Sequence, residues 1–440
     1  MTMALTKLLS RLHGPGWSLV DQLFVSAVNF LSIFLLARAM APAEFGVFMV
    51  AYTGLMILLS LQNAFVIQPH YYIGAPLLGQ EFAQFTGMLT LMQFISSAGV
   101  CLLLVAAGLL VFASGFASYG LVVITLAAVA FPLLMHGFIR RAFYTKSRTK
   151  SAALNGFVGY GLQLAGVIWL TRAFPDPSPI SVLLTYGGAS LVAALFGIFQ
   201  MRDWFDFSGA ASLLTRLKQT SRKVWNFGKW LVAQSMVGSI AVGGDTWVIA
   251  GMLGTEAAGI YRAVVHLLGA LNPLHQAANV YLPARASLAL HHGGRQRLGK
   301  WVRRITSSLQ VAVLPIALTM ILFPGPILQL AYGDRYSGYE TLLALTTVAF
   351  VVEFLRLPLG IAILAMMASR VMFKVHLIPF LLLPTLLVPL LWFFGIFGVP
   401  WFHIVAAGST LIATLWIYRK HIGHGRPAVA VEPAEWQPSK

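Results

Sequence analysis

"GGDTWVIAGMLGTEAAGIYRAVVH", residues 243–266, is two apolar helical segments joined by a turn near Thr255, with Asp245 in the first and Arg262 in the second. If both segments cross a bilayer, each charge costs on the order of 2.5–3.5 kcal/mol to place there. The rest of the chain says that they do cross. Hydrophobic residues make up 58% of the 440 and charged residues 10%, far below the roughly 25% charged of an average soluble domain. Mean hydropathy is +0.80. Apolar runs near 20 residues recur along the whole length, so the sequence predicts an all-α polytopic membrane protein.

Breaks at Gly, Pro and charge divide the chain into about twelve predicted spans, near 17–40, 44–66, 85–113, 118–139, 152–171, 180–200, 229–253, 256–284, 303–324, 340–366, 371–396 and 399–418. With both termini cytoplasmic, all but five of the 30 Lys and Arg residues fall on the cytoplasmic side. Arg38, Arg172 and Arg335 lie outside, while Arg262 and Arg356 lie within spans. The net charge of +17 is therefore accounted for by loops such as "RRAFYTKSRTK" (140–150) that set orientation and touch anionic lipid, with no nucleic acid as partner. The N-terminal stretch lacks a small-residue cleavage site and reads as no signal peptide. One cysteine, Cys101, excludes an intrachain disulfide.

The chain also resembles itself. A shift of 213 residues places Trp17 on Trp230, Gly46 on Gly259 and Phe48 on Tyr261, laying "LLARAMAPAEFGVF" (35–48) over "VIAGMLGTEAAGIY" (248–261). A shift of 222 sets "YTKSR" (144–148) over "MMASR" (366–370). Six spans per half is an even number, so the halves run parallel about an axis along the membrane normal, with a site expected between them. The predicted organisation is a six-helix lobe over 1–200, a cytoplasmic interfacial linker over 201–228, a second lobe over 229–420 and a disordered cytoplasmic tail over 421–440.

These residues carry a resemblance. "DTWVIAGMLGTEAAGIYRAV" (245–264), its counterpart "ARAMAPAEFGVFMVAY" (37–52) and the run 332–378 starting "YGDRYSGYETLLAL" are similar to the polysaccharide-transporter branch of the MOP flippase superfamily. That superfamily also contains the lipid II flippases and the MATE drug exporters. The resemblance implies two six-helix lobes around a V-shaped cavity that alternates between inward-open and outward-open. It also implies a cargo, an undecaprenyl-diphosphate-linked oligosaccharide moved from the cytoplasmic to the periplasmic leaflet of a bacterial inner membrane. On this reading the protein is a flippase rather than an enzyme, needs no cofactor, and works beside polysaccharide polymerase or export machinery. Coupling to H+, Na+ or the membrane potential stays open. The alternative is a MATE-like, cation-coupled exporter of small molecules. A membrane polymerase or ligase fits less well, because the predicted external loops are short and hold few charges.

Candidate cavity residues follow from helical spacing. Arg262, His266, Gly269, Asn272, Gln276 and Asn279 recur at steps of 3 and 4 and predict one wet stripe along the eighth span. Gln22, Ser26 and Asn29 repeat the pattern in the first span, and Gln234, Gly238, Ala241 and Asp245 in the seventh. Such polar groups also hold helices together by interhelical hydrogen bonds. Asp245 and Arg262 flank one turn at depths differing by only about 5 Å. They are open to two readings: a structural clasp, or a switch in which Arg262 binds a diphosphate and Asp245 replaces the anion after release. Glu353 and Arg356, at i and i+3 in the tenth span, are expected to satisfy one another. His136 and Arg140 read as a snorkelling anchor at a span end, with headgroup contact as the alternative. Asp21 sits near the place of a cation-coupling carboxylate in some drug-exporting relatives, but without an acidic neighbour.

Overall fold

The computed structural model describes residues 15–74, 77–146, 148–204, 213–366 and 369–423. The signal-peptide reading of the first residues lies outside them, and of the tail 421–440, predicted to be disordered, only 421–423 are described, as the end of the last helix. Helices account for nearly all of the described chain, and no strand occurs among the described residues. The first half holds α1 (Pro15–Ala39), α2 (Pro42–Gln62), α3 (Gly79–Ala113), α4 (Ala117–Thr145), α5 (Thr149–Ala173) and α6 (Pro179–Gln200). The second half holds α7 (Leu213–Leu253), α8 (Thr255–Leu268), α9 (Asn272–Leu322), a short α10 (Pro324–Tyr332), α11 (Glu340–Ala365), α12 (Ser369–Leu382), α13 (Val388–Phe394) and α14 (Gly398–Gly423).

By length and composition, nine described helices can cross a membrane, or ten with the bent α7. The stretch Met372–Lys420 turns at Gly395, φ +56°, and so holds two crossings. Together with the more polar stretch from Thr255 to the break at Gly293–Gly294, twelve crossings are compatible with the chain. Mechanisms at the boundaries are local. Ser178 caps α6 by accepting from the Ser181 amide at 3.2 Å, with Pro179 in the first turn. Gly254, φ +91°, makes the turn between α7 and α8 that Thr255 was predicted to centre.

Two sequence expectations change. The linker 201–227 is not a free interfacial helix: after a short 3-10 turn at Arg202–Trp204, the chain from Leu213 runs straight into the seventh span as one 41-residue helix, bent by 47° between Ala241 and Gly243. The eighth span is also not one helix. α8 stops at Leu268, a 3-10 turn covers Gly269–Leu271, and α9 starts with Pro273 in its first turn, where its missing N–H costs no helical bond. The predicted stripe from Arg262 to Asn279 is therefore interrupted by that turn.

Within the first half, α1 packs on α5, α3 on α4 and α4 on α6; within the second, α9 packs on α11, and α11 and α12 on α14. The halves meet along α2, which packs on both α7 and α8. One core cluster straddles both halves at the face opposite the basic loops, where Leu36, Met40, Phe45 and Phe48 join Ile260, Val264, Tyr332 and Tyr336. Toward the basic face, one cluster around Phe138 and Phe143 takes in Val224 from α7, and another around Leu298 and Val302 lies within the second half. The halves are packed tightly at one face, and toward the other they still touch along α7, where Phe65 meets Trp225 and Tyr72 meets Phe227.

Candidate functional site: a three-chamber cavity with two unpaired arginines

The space between the halves is a cavity of about 940 Å³ walled by α2 and α7, running from Thr53 and Arg262 down to Tyr72 and Phe227 at the basic face. A chamber of about 640 Å³ opens in the first half, lined by Gln22, Asn29, His136, Arg140, Arg141 and Tyr144 among others, and shares Met56 and Asn63 with the centre. A third, of about 390 Å³, lies in the second half beside Asp245, Tyr261, Glu353, Arg356 and His403, and shares Gly238, Arg262 and His376. The central wall carries amide and hydroxyl side chains, Ser60, Asn63, Gln68, Gln234, Ser235 and Ser239, among apolar ones such as Met56, Ile57, Phe227 and Leu231. That surface offers donors and acceptors to an uncharged polar ligand.

The opposite face is sealed. Arg335 donates to the carbonyls of Arg38 and Met40, Tyr336 to the carbonyl of Ala37 at 3.1 Å, and Tyr332 to that of Ala263 at 3.0 Å. The segment after α10 thereby grips the end of α1 from the other half. His266 belongs to this closure rather than to the cavity. Its ring meets the Phe30 carbonyl at 2.8 Å and stacks on the Phe30 ring at 4.8 Å, so the expected cavity role is corrected: one turn beyond Arg262, the same face of α8 meets α1.

Asp245 does not pair with Arg262. Its Oδ2 accepts from the Tyr261 hydroxyl at 2.5 Å and lies 3.2 Å from His403 Nε2, while Oδ1 accepts from the Thr246 amide at 2.6 Å. Tyr261 and His403 also bond at 2.7 Å, closing a triangle of three titratable groups. Arg262, the next residue along α8, lines the same second-half chamber as Asp245, but no direct ion pair joins them. The direct clasp of the sequence expectation is therefore absent, while Asp245 and Arg262 remain close enough across the chamber for each charge to act on the other.

In the first half, Arg140 is no snorkelling anchor. It is buried and bonded to the fully buried Asp21 at 2.5 Å, and the Tyr144 hydroxyl donates to the same carboxylate oxygen. Gly156 makes the room, since a Cβ there would lie 2.5 Å from Asp21 Oδ1. Glu353 and Arg356 form a bidentate pair, as their spacing predicts. The side chains of Asn272, Gln276 and Asn279 lie outside the described residues.

The charges on the cavity wall can now be matched. Arg140 has Asp21, Arg356 has Glu353, and Asp245 has Tyr261 and His403. Among the described residues, Arg262 makes no ion pair or hydrogen bond, and Arg141 bonds only to the neutral Asn63, at 2.9 Å. Arg141 was invisible in the sequence because it sits in a basic run that reads as loop. His403 gave no signal at all, being 158 residues from its partner Asp245, a separation that only folding brings together.

Comparison with known proteins agrees with this architecture. The family described as "Polysaccharide biosynthesis protein" matches residues 12–284. No curated protein matches the chain. Among solved structures, the lipid II flippase MurJ in an inward closed conformation is similar over 91% of this chain and 87% of its own, at 11% identity and TM-score 0.66. A MOP superfamily transporter from Pyrococcus furiosus, described by the reverse polarity of its binding pocket, covers 94% and 95% at 14% identity and TM-score 0.59. An outward-facing multidrug resistance MATE transporter covers 94% and 95% at 15% identity and TM-score 0.58. At such identities the likeness is one of fold.

Proposed function

The chain belongs to the polysaccharide biosynthesis protein family, and from that premise we propose that it flips an undecaprenyl-diphosphate-linked oligosaccharide from the cytoplasmic to the periplasmic leaflet of a bacterial inner membrane. It is a multi-pass membrane protein with the MOP fold. On the proposed reading the basic face and both chain ends are cytoplasmic, so the cavity as it stands is closed toward the periplasm. Alternating access then carries the cargo across without breaking a covalent bond, and the product passes to polymerase or export machinery.

The observation that carries the reading is Arg262. An arginine with no direct ion pair, where the central and second-half chambers meet, is costly in a membrane cavity unless an anion visits it. A guanidinium fork matches phosphate oxygens bidentately, and the amide and hydroxyl walls suit the attached sugars. A cation exporter of the drug type would instead want carboxylates free to bind cargo. Asp21, Asp245 and Glu353 are all bonded already. If transport is coupled to protons, the Asp245–Tyr261–His403 triangle is the proposed place of exchange. The test is export by Arg262→Ala at matched protein levels: loss of polysaccharide with the lipid-linked precursor retained in the inner leaflet supports the reading, and normal export overturns it.

A further inference from the structure

The third span of each half starts at the basic face, and the two starts carry opposite charge. In the first half, α3 begins "GQEFAQF" (79–85) with Glu81 exposed, and no Lys or Arg occurs anywhere from 39 to 139. In the second, α9 passes its break at Gly293–Gly294 and continues "RQRLGKWVRR" (295–304), and no Asp or Glu occurs anywhere from 257 to 333. Orientation alone does not explain the difference, because α3 runs from the same face without a basic residue of its own. We infer that the outer side of α9 is a binding site for an anionic phospholipid of the leaflet at the basic face.

The shape of that side matches a phospholipid. Lys300, Arg303 and Arg304 share one side of the helix, and Val311, Leu318 and Leu322 continue it at steps of 7, 7 and 4. All six are exposed, Val311 at 73% and Leu322 at 66%. The opposite side, with Leu298, Val302 and Leu309, is buried in the core of the second half. From Ser307 to Leu318 the helix rises about 16 Å, half of a hydrocarbon core about 30 Å thick. The chains of a lipid whose phosphate rests on the three basic residues therefore lie along the apolar stripe, within one leaflet. A soluble acidic partner would reach the charges and leave that stripe unmatched.

A second helix completes the headgroup end. Gly299 lets α9 approach α14, where an added Cβ would lie 3.7 Å from the Tyr418 hydroxyl, and this crossing sets Arg419 and Lys420 at the depth of Lys300. Arg303 is close enough to Tyr418 for its charge to act on the hydroxyl. Lys420 lies 5.1 Å from the ring centre of the exposed Trp416, an indole at the level where such rings meet headgroups. Among the described residues, Lys300, Arg303, Arg304 and Arg419 make no ion pair. First-half basic side chains at the same face are engaged instead: Lys146 donates to the Leu77 carbonyl and lies over Phe82, and Arg148 lies over Trp204. No Asp or Glu occurs from 354 to 423 either, so the phosphodiesters of the adjoining leaflet are the anions within reach of this cluster.

The test puts the photo-crosslinker benzoylphenylalanine in place of Val311, in the purified full chain, in nanodiscs of phosphatidylcholine with phosphatidylglycerol as the minor lipid, and identifies the captured lipid by mass spectrometry. Phosphatidylglycerol should be captured at least about fivefold above its share, the factor that one basic residue at an anionic surface supplies. The same crosslinker in place of Ile95, exposed on α3, should capture the two lipids in proportion to their shares. Joint Lys300→Gln, Arg303→Gln and Arg304→Gln should bring the Val311 position down to the Ile95 result. Joint Lys300→Arg, Arg303→Lys and Arg304→Lys should keep the enrichment, which separates lost charge from lost structure. Proportional capture by the otherwise wild-type chain, or enrichment that survives the three glutamines, overturns the inference and leaves the cluster to orientation or to an acidic protein. Loss of the enrichment on adding inorganic phosphate at constant ionic strength also overturns it, by assigning the charges to a free anion.

Discussion

Gly46 and Gly259 meet backbone to backbone where α2 crosses α8. A Cβ on Gly46 would lie 1.7 Å from the Thr255 carbonyl oxygen, and one on Gly259 would lie 2.1 Å from the Pro42 carbonyl oxygen. The two contacts are the same contact twice. Thr255 stands 213 residues after Pro42, and Gly259 stands 213 after Gly46, so each glycine touches the repeat equivalent of the residue that its partner touches. A reciprocal contact of this kind requires a two-fold relation between the elements, here between halves of one chain. Small residues let the helices approach to this distance, and the crossing is what seals the cavity at the face opposite the basic loops.

Gly259→Ala should pry that seal open. The added methyl meets backbone, which cannot swing aside, so the sealed state should lose on the order of 1–3 kcal/mol, as overpacked sites do. Spin labels at Ala43 and Glu256 should report a longer separation in the resting protein, and an unchanged distance would count against the crossing as the seal.

Arg262→Ala should abolish export while the protein accumulates normally, because no described carboxylate forms a direct ion pair with Arg262. Arg262→Lys should restore part of the activity, keeping the charge without the planar fork. Asp245→Asn should not rescue Arg262→Gln. Rescue of both level and export by that double change would restore the clasp that the geometry denies.

Asp21 and Arg140 should behave as a buried ion pair. Arg140→Gln leaves a fully buried carboxylate with only Tyr144 as partner, and the loss should be about 3–5 kcal/mol, seen as a lower midpoint in thermal unfolding of the purified protein. The double variant Asp21→Asn with Arg140→Gln should recover much of it, with a coupling of about 1–3 kcal/mol in a double-mutant cycle.

Tyr261→Phe removes the hydroxyl that bonds both Asp245 and His403. Stability should fall by about 1–3 kcal/mol, the range for a buried hydrogen-bonding group left without its partner. If the triangle exchanges protons during transport, export by the variant should also change its dependence on external pH. A profile parallel to wild type would exclude that role.

Single cysteines introduced at Ser221 and at Asp176 should label from opposite sides, Ser221 from the cytoplasm and Asp176 from the periplasm. Periplasmic labelling at Ser221 would invert the proposed topology and with it the direction in which the sealed face points.

The membrane fold was legible in the sequence because it follows from local quantities. Span length, apolar composition and the placement of Lys and Arg are each properties of a short window, and the 213-residue register could be read by sliding the chain on itself. The Glu353–Arg356 pair was legible for the same reason, since i, i+3 neighbours share a helix face whatever the tertiary structure does. Most of the cavity was not. Whether Asp245 meets Tyr261 or Arg262 depends on the rotation of α8 about its own axis, and adjacent residues differ there by about 100°. Asp21 finds Arg140, and Asp245 finds His403, across more than a hundred residues, so only packing selects these partners. The sequence determined that arginines are stored within the membrane. Tertiary structure alone decided which of the described cavity arginines, Arg141 and Arg262, are left without a direct ion pair, because that is settled by what the cavity-wall carboxylates Asp21, Asp245 and Glu353 have already bonded.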